Sequence, residues 1–153
     1  MNVCLATLND IDAICTLYQQ FYETNANQQP KYYCNVEESG AYPKSVINGV
    51  SGDIFIAKTQ NKIVGFIHVE AEETAPFPSV APHQYACIVD FYVIPDYRKN
   101  GIGKALLERA KDWAKSKNLE YLELFVLEEN QLGQNFYKRE KFSTASRTLR
   151  YVL

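Results

Sequence analysis

The chain has 153 residues, a hydrophobic share of 46%, a charged share of 22%, and 16 Lys+Arg against 18 Asp+Glu for a formal net charge of −2. That length suits a single domain spanning 1–153, with enough chain to bury a core. The charge balance excludes the basic footprint of a nucleic-acid binder, and no apolar run reaches the length of a membrane span.

The opening residues "MNVCLATLNDID" lack the basic and apolar regions of a secretion signal, so a cytoplasmic protein is expected. "NVCLAT" reads as a first strand. "NDIDAICTLYQQFYE" follows as a helix, with Asn9 or Asp10 able to cap it. Ile11, Ile14, Cys15, Tyr18 and Phe21 recur there at helical spacing. Residues 24–52 mix Asn, Gln, Gly and two prolines with three tyrosines, which reads as a loop, a short helix near 36–48 and a second loop. Such a stretch either shapes a substrate site or crosses the surface.

"DIFIAKTQNKIVGFIHVEA" predicts a hairpin turning at "TQNK". "EETAPFPSVAPHQ" is an acidic, proline-rich loop. "YACIVDFYVI" is a nearly continuous apolar run, as expected of a central strand. From Gly101 to Lys117 the pattern turns helical, with Ile102, Ala105, Leu106, Ala110, Trp113 and Ala114 on one face. "EYLELFV" predicts a strand, "NQLGQNFYKRE" a short helix and "RTLRYVL" a closing strand. The predicted order is β-α-α-β-β-β-α-β-α-β, an α/β (α+β) domain on a mixed central sheet flanked by helices.

The four cysteines, Cys4, Cys15, Cys34 and Cys87, form no C-x-x-C pair, and His68 and His83 lie outside helical metal-ligand spacing. No metal site is expected. Cys87 reads as a buried free thiol.

"YRKNGIGKALL" sets Gly101 and Gly103 one residue apart, where a strand ends and a helix begins. Free amides and the helix dipole point outward there, and glycine lets an anion approach the backbone. Arg98, Lys99 and Lys104 add formal charge, so the loop suits phosphate. The dinucleotide fingerprint fails at Leu106, and a P-loop fails at Arg98 and Ala105.

"VIPDYRKNGIGKALL" resembles the signature of the GNAT superfamily of N-acetyltransferases, V-x-P-x-x-R/Q-x-x-G-x-G/A, through Val93, Pro95, Arg98, Gly101 and Gly103. "LEENQLGQNFYKREKF" is similar to the family's second signature, and "LATLNDIDAICTL" to its opening strand and helix. Lys141 stands where relatives usually carry glycine. "DFYVIPDYRKNGIG" with "NFYKRE" is also weakly similar to the diamine acetyltransferases.

The resemblance implies acetyl-CoA as co-substrate. The loop from Arg98 through Lys99, Asn100, Gly101, Ile102 and Gly103 to Lys104 would hold its pyrophosphate. The segment Phe91, Tyr92 and Val93, splayed from strand 120–126, would offer backbone groups of Phe91 and Val93 to the pantetheine amides. Asn130 would contact the same arm. It also implies Tyr137 as general acid at the CoA sulfur, against the alternative of a tyrosine that only packs and hydrogen-bonds. A main-chain amide near Val93 would hold the oxyanion.

A base is left open between Asp90, Glu70 and water. Pleat alternation places Asp90 on one face with Ile88 and Tyr92, opposite Val89, Phe91 and Val93. Asp90 also reads as a structural carboxylate that pairs with a cation or caps a loop. The acceptor would be a small-molecule or peptide amine, drawn by Glu37, Glu38, Glu70, Glu72 and Glu73. A catalytically silent acyl-CoA sensor is the alternative function. A homodimer is compatible with the resemblance.

Overall fold

The computed structural model describes residues 1–153. Its elements are β1 (Asn2–Leu5), α1 (Ile11–Gln28), α2 (Ala41–Ile47), β2 (Gly52–Thr59), β3 (Lys62–Glu73), β4 (Gln84–Val93), α3 (Ile102–Ser116), β5 (Leu122–Leu124) and α4 (Gln131–Arg139). The five strands lie in the order β1-β2-β3-β4-β5. The first three pairings are antiparallel, and β4 pairs with β5 in parallel. A mixed sheet flanked by helices is the expected class.

β2 and β3 meet in a two-residue turn in which Gln60 and Asn61 both take positive φ. That conformation matches the right-handed twist of the strands it joins. The middle of the sheet is covered on both faces, so β3 reads as an apolar run interrupted only by His68 between Ile63 and Val69, and buries Ile63, Val64, Phe66, Ile67 and Val69. One face carries α3, where Ile102, Leu106, Leu107, Ala110, Trp113 and Ala114 pack on Phe55, Ile67, Val69, Ala86 and Ile88. Leu107 joins the predicted stripe, and Ala105 stays partly exposed. The other face carries α1 and α2, where Ile14, Leu17, Tyr18 and Val46 cover Ile54, Ile56, Phe66 and Tyr92.

Three expectations need correction. The helix near 36–48 is shorter, Ala41–Ile47, and follows Gly40 at φ +85. Asp10 does not cap α1: its carboxylate accepts from the Thr7 amide and hydroxyl and pairs with Lys58 at 2.8 Å. Nor does "RTLRYVL" form a closing strand, so the element order ends at α4. A strand needs a paired edge, and residues 143–153 run past the end of α1 without one. Arg150 stacks over Tyr32 there and donates to Gln29.

Candidate active site

The site begins with one extra residue in β4. His68 pairs with Asp90, but Val69 pairs with Ile88, so Val89 has no partner on β3. A bulge of this kind reverses the alternation of faces. Ala86 and Ile88 therefore point to the α3 side, and so do Phe91 and Val93 beyond the bulge. Asp90 and Tyr92 point to the α1 side. Asp90 thus shares a face with Tyr92 but not with Ile88, correcting the pleat rule, which counts no inserted residue.

The bulge also ends the pairing with β5. That ladder covers Ala86–Leu122, Cys87–Glu123 and Ile88–Leu124 and then stops. The strand expected over 120–126 keeps only its paired residues. The Ile94 amide donates to the Val64 carbonyl. In the same register Tyr92 and Phe66 also form a hydrogen-bonded pair, because such pairs alternate along an antiparallel ladder. The backbone groups of Phe91 and Val93 consequently face away from β3, into the gap left by β5. Tyr92 is not brought there: its backbone turns to β3, and its hydroxyl reaches Gln20 at 3.4 Å.

Arg98 closes the end of this edge. Its Nε donates to the Val93 carbonyl at 2.8 Å, and its guanidinium lies 5.5 Å from the Tyr92 ring centroid. The Arg98 amide is bound to Pro95. Arg98 therefore braces the loop from behind, and its amide and the Val93 carbonyl are already engaged. The Val93 amide and both backbone groups of Phe91 remain turned to the gap.

Between Arg98 and α3, Lys99 takes φ +64 and Gly101 φ +79. The first bond of the helix runs from the Ala105 amide to the Gly101 carbonyl, and no side chain caps it. The amides of Ile102, Gly103 and Lys104 therefore have no partner within the helix. A Cβ on Gly101 would meet nothing within 4 Å, so that glycine is required by its backbone angle. A Cβ on Gly103 would touch Phe136 at 3.5 Å and Phe91 at 3.7 Å. The glycine loop, the open edge of β4 and α4 thus meet at Phe91.

On α4, Tyr137 packs among Phe91, Phe136 and Phe142, with centroids 6.4, 5.4 and 5.6 Å away. Burial alone raises its pKa above the ordinary phenol value. Asn130 opens the helix by accepting from the Gly133 amide at 2.9 Å. This leaves its Nδ2 for other use.

Behind the strand, on the α1 face, Asp90 sits in a polar cluster inside the aromatic core. Tyr18 donates to Asp90 Oδ2 at 3.1 Å, and the Tyr42 hydroxyl lies 3.4 Å from the same oxygen. His68, wholly buried, places Nδ1 3.2 Å from the Tyr42 hydroxyl and 3.5 Å from Asp90 Oδ2. Its Nε2 lies 3.0 Å from Glu70 Oε1, off the hydrogen-bond direction. Burial first, and the Asp90 carboxylate second, raise the pKa of both Tyr18 and Tyr42. Alongside, Glu38 accepts from Tyr22 at 3.0 Å and from the Gly40 amide at 2.9 Å. Residues 24–52 therefore supply Glu38 and Tyr42 to this cluster.

Tyr18, Tyr42 and His68 were absent from the predicted site. The one sequence signal for His68 was an imidazole inside a buried apolar run, two residues from Glu70 and so on its face. No group of three or more His, Cys, Asp or Glu side chains is arranged to hold a metal ion. No helix is long and apolar enough to cross a membrane.

The sequence model of the family described as the acetyltransferase (GNAT) family matches residues 11–142. An uncharacterised N-acetyltransferase of Methanocaldococcus jannaschii is 29% identical over 136 residues, 89% of this chain and 58% of that protein. The chain thus spans little more than half of that relative. An uncharacterised N-acetyltransferase of Bacillus subtilis is 24% identical over 100% of this chain and 97% of its own length. Among solved structures, the aminoglycoside N-acetyltransferase AAC(6′)-Iy in complex with CoA superposes with a TM-score of 0.77 at 14% identity, covering 99% of this chain and 98% of that one.

Proposed function

We propose, from the premise that this chain belongs to the GNAT family of acetyltransferases, that it moves the acetyl group of acetyl-CoA onto a primary amine by direct attack. The convergence of the glycine loop, the open β4 edge and Tyr137 at Phe91 carries this reading. The free amides of Ile102, Gly103 and Lys104 suit the pyrophosphate of CoA, with Lys99 and Lys104 adding charge and Arg98 bracing the loop. The backbone groups of Phe91 suit the pantetheine arm, which would complete the sheet edge as an added strand does, and leave the Val93 amide for the acetyl group. Asn130 offers its Nδ2 to the same arm. Acetyl-CoA supplies an activated thioester.

The chain supplies proton transfer and charge stabilisation. The amine must be neutral to attack, and a typical alkyl ammonium has a pKa near ~10. Asp90 is the base for that proton, with Glu70 the second candidate carboxylate. Tyr137, kept protonated by burial, gives a proton to the leaving thiolate. The Val93 amide is the donor for the developing oxyanion. Base and acid lie on opposite faces of the splayed strand, so the amine enters from the α1 side while the thiolate is met from α4.

The acidic and aromatic lining of the α1 side, Tyr22, Glu38, Tyr42 and Asp90, suits a cationic small-molecule amine. Aminoglycoside acetyltransferases among the structural neighbours are consistent with that class.

Amide NMR during CoA titration tests the cofactor seat. Phe91, Val93, Ile102, Gly103 and Lys104 are expected to shift and to exchange more slowly. Shifts confined to other loops would refute it.

A further inference from the structure

His68 has no role in the mechanism so far, yet it is fully buried and flanked by two carboxylates. Nδ1 faces Tyr42 and Asp90, and Nε2 faces Glu70. Tyr18 on α1, Tyr42 on α2, Glu70 on β3 and Asp90 on β4 are the titratable groups of the cluster. Neighbouring oxygens and nitrogens this close cannot all be acceptors, so protons must lie between them. One consistent assignment has Nε2 protonated toward Glu70, the Tyr42 hydroxyl donating to Nδ1, and Tyr18 donating to Asp90. In that state Nδ1 carries a lone pair 3.5 Å from Asp90 Oδ2. Gly52 supports the arrangement: a Cβ there would come within 2.6 Å of Glu70 Cγ and of the Val69 carbonyl oxygen, so a side chain would displace the carboxylate.

We infer that His68, backed by Glu70, takes over the acceptor's proton from Asp90 and so returns Asp90 to its ionised form before the amine attacks. This rests on the proposed role of Asp90 as base. His68 acts through Asp90 and is therefore a positioning residue.

The proton is conserved throughout. An N–H bond of the acceptor ammonium breaks and an O–H bond forms on Asp90, leaving a neutral amine. The Asp90 O–H then breaks and an N–H forms at Nδ1, giving an imidazolium and a restored carboxylate. Tyr42 swings its hydroxyl from Nδ1 to Asp90. Glu70 Oε1, 3.0 Å from Nε2, balances the new charge by proximity. After the product leaves, the proton returns from Nδ1 to Asp90 and on to water in the acceptor site.

Two measurements test this. The chain has only two histidines, His68 and His83, so long-range nitrogen–proton NMR of histidine-labelled protein resolves both rings, with His83→Gln as the assignment control. The expected resting ring is neutral and protonated at Nε2. A neutral ring protonated at Nδ1, or an imidazolium that persists into alkaline solution, has no lone pair facing Asp90 and overturns the inference.

The second measurement compares ethylamine, which arrives as an ammonium, with trifluoroethylamine, which arrives neutral. In His68→Gln and in the more exposed Glu70→Gln, the ethylamine-to-trifluoroethylamine rate ratio should fall by about tenfold or more, since only the first needs a base. A loss of packing alone lowers both rates and keeps the ratio. A ratio preserved in both variants overturns the inference. Wild-type protein that acetylates no amine refutes the acetyl-transfer reading instead, and the ring tautomer then decides the proton state on its own.

Discussion

Removing one oxygen from Tyr137 should separate chemistry from binding and stability. In Tyr137→Phe the ring keeps its neighbours Phe91, Phe136 and Phe142. The hydroxyl's pKa is shifted by burial alone, with no hydrogen bond or charge contributing, so its loss breaks no internal bond. Stability should stay within about 1 kcal/mol of wild type, which for a chain of this length moves Tm by roughly 2–4 °C. A positioned general acid contributes about 10²–10⁴-fold, so kcat should fall by at least ~10²-fold, or about 2.7 kcal/mol of transition-state stabilisation. CoA affinity should change little. The assays are thiol release for kcat, calorimetry for the CoA Kd and a thermal melt for the fold. Because burial raises the phenol pKa above its ordinary value near ~10, Tyr137 stays protonated through the neutral range and contributes no basic limb there. A variant that keeps kcat within about threefold of wild type would refute the acid role.

Asp90→Asn should lower turnover of an ammonium acceptor by about 10²-fold at neutral pH, the gap to wild type narrowing as rising pH supplies neutral amine; a gap that does not change with pH would make Asp90 structural. Gly101→Val forces a β-branched residue to φ +79, which costs on the order of 1–3 kcal/mol of strain. It should raise the CoA Kd at least tenfold, as calorimetry would show. Burial first, then Glu72 and Glu123, push the Cys87 thiol up to about 11, so it stays protonated below that pH. Iodoacetamide should modify exposed Cys34 first and Cys87 far more slowly, which peptide mass spectrometry would read out.

The features that depend on local chemistry were legible in the sequence. The two glycines before an amphipathic helix mark an amide-rich turn, and the apolar runs of β3 and β4 mark central strands. Features that depend on tertiary pairing were not. A bulge at Val89 inserts one residue into an otherwise regular alternation, and composition does not distinguish it from its neighbours. That single residue decides which face Asp90 occupies and where β5 stops pairing. The segment "RTLRYVL" has strand-like alternation, but it meets no edge, so pattern alone misled. His68 escaped because its partners come from separate elements: Tyr42 from α2, Glu70 from its own strand and Asp90 from the next. Only folding brings them within hydrogen-bond reach.

The most direct test of acetyl transfer is thiol release from acetyl-CoA against a panel of polyamines, amino acids, aminoglycosides and peptides. The account predicts amine-dependent release with at least one cationic small-molecule class. Tight CoA binding with no release on any amine would contradict it and leave an acyl-CoA sensor in its place.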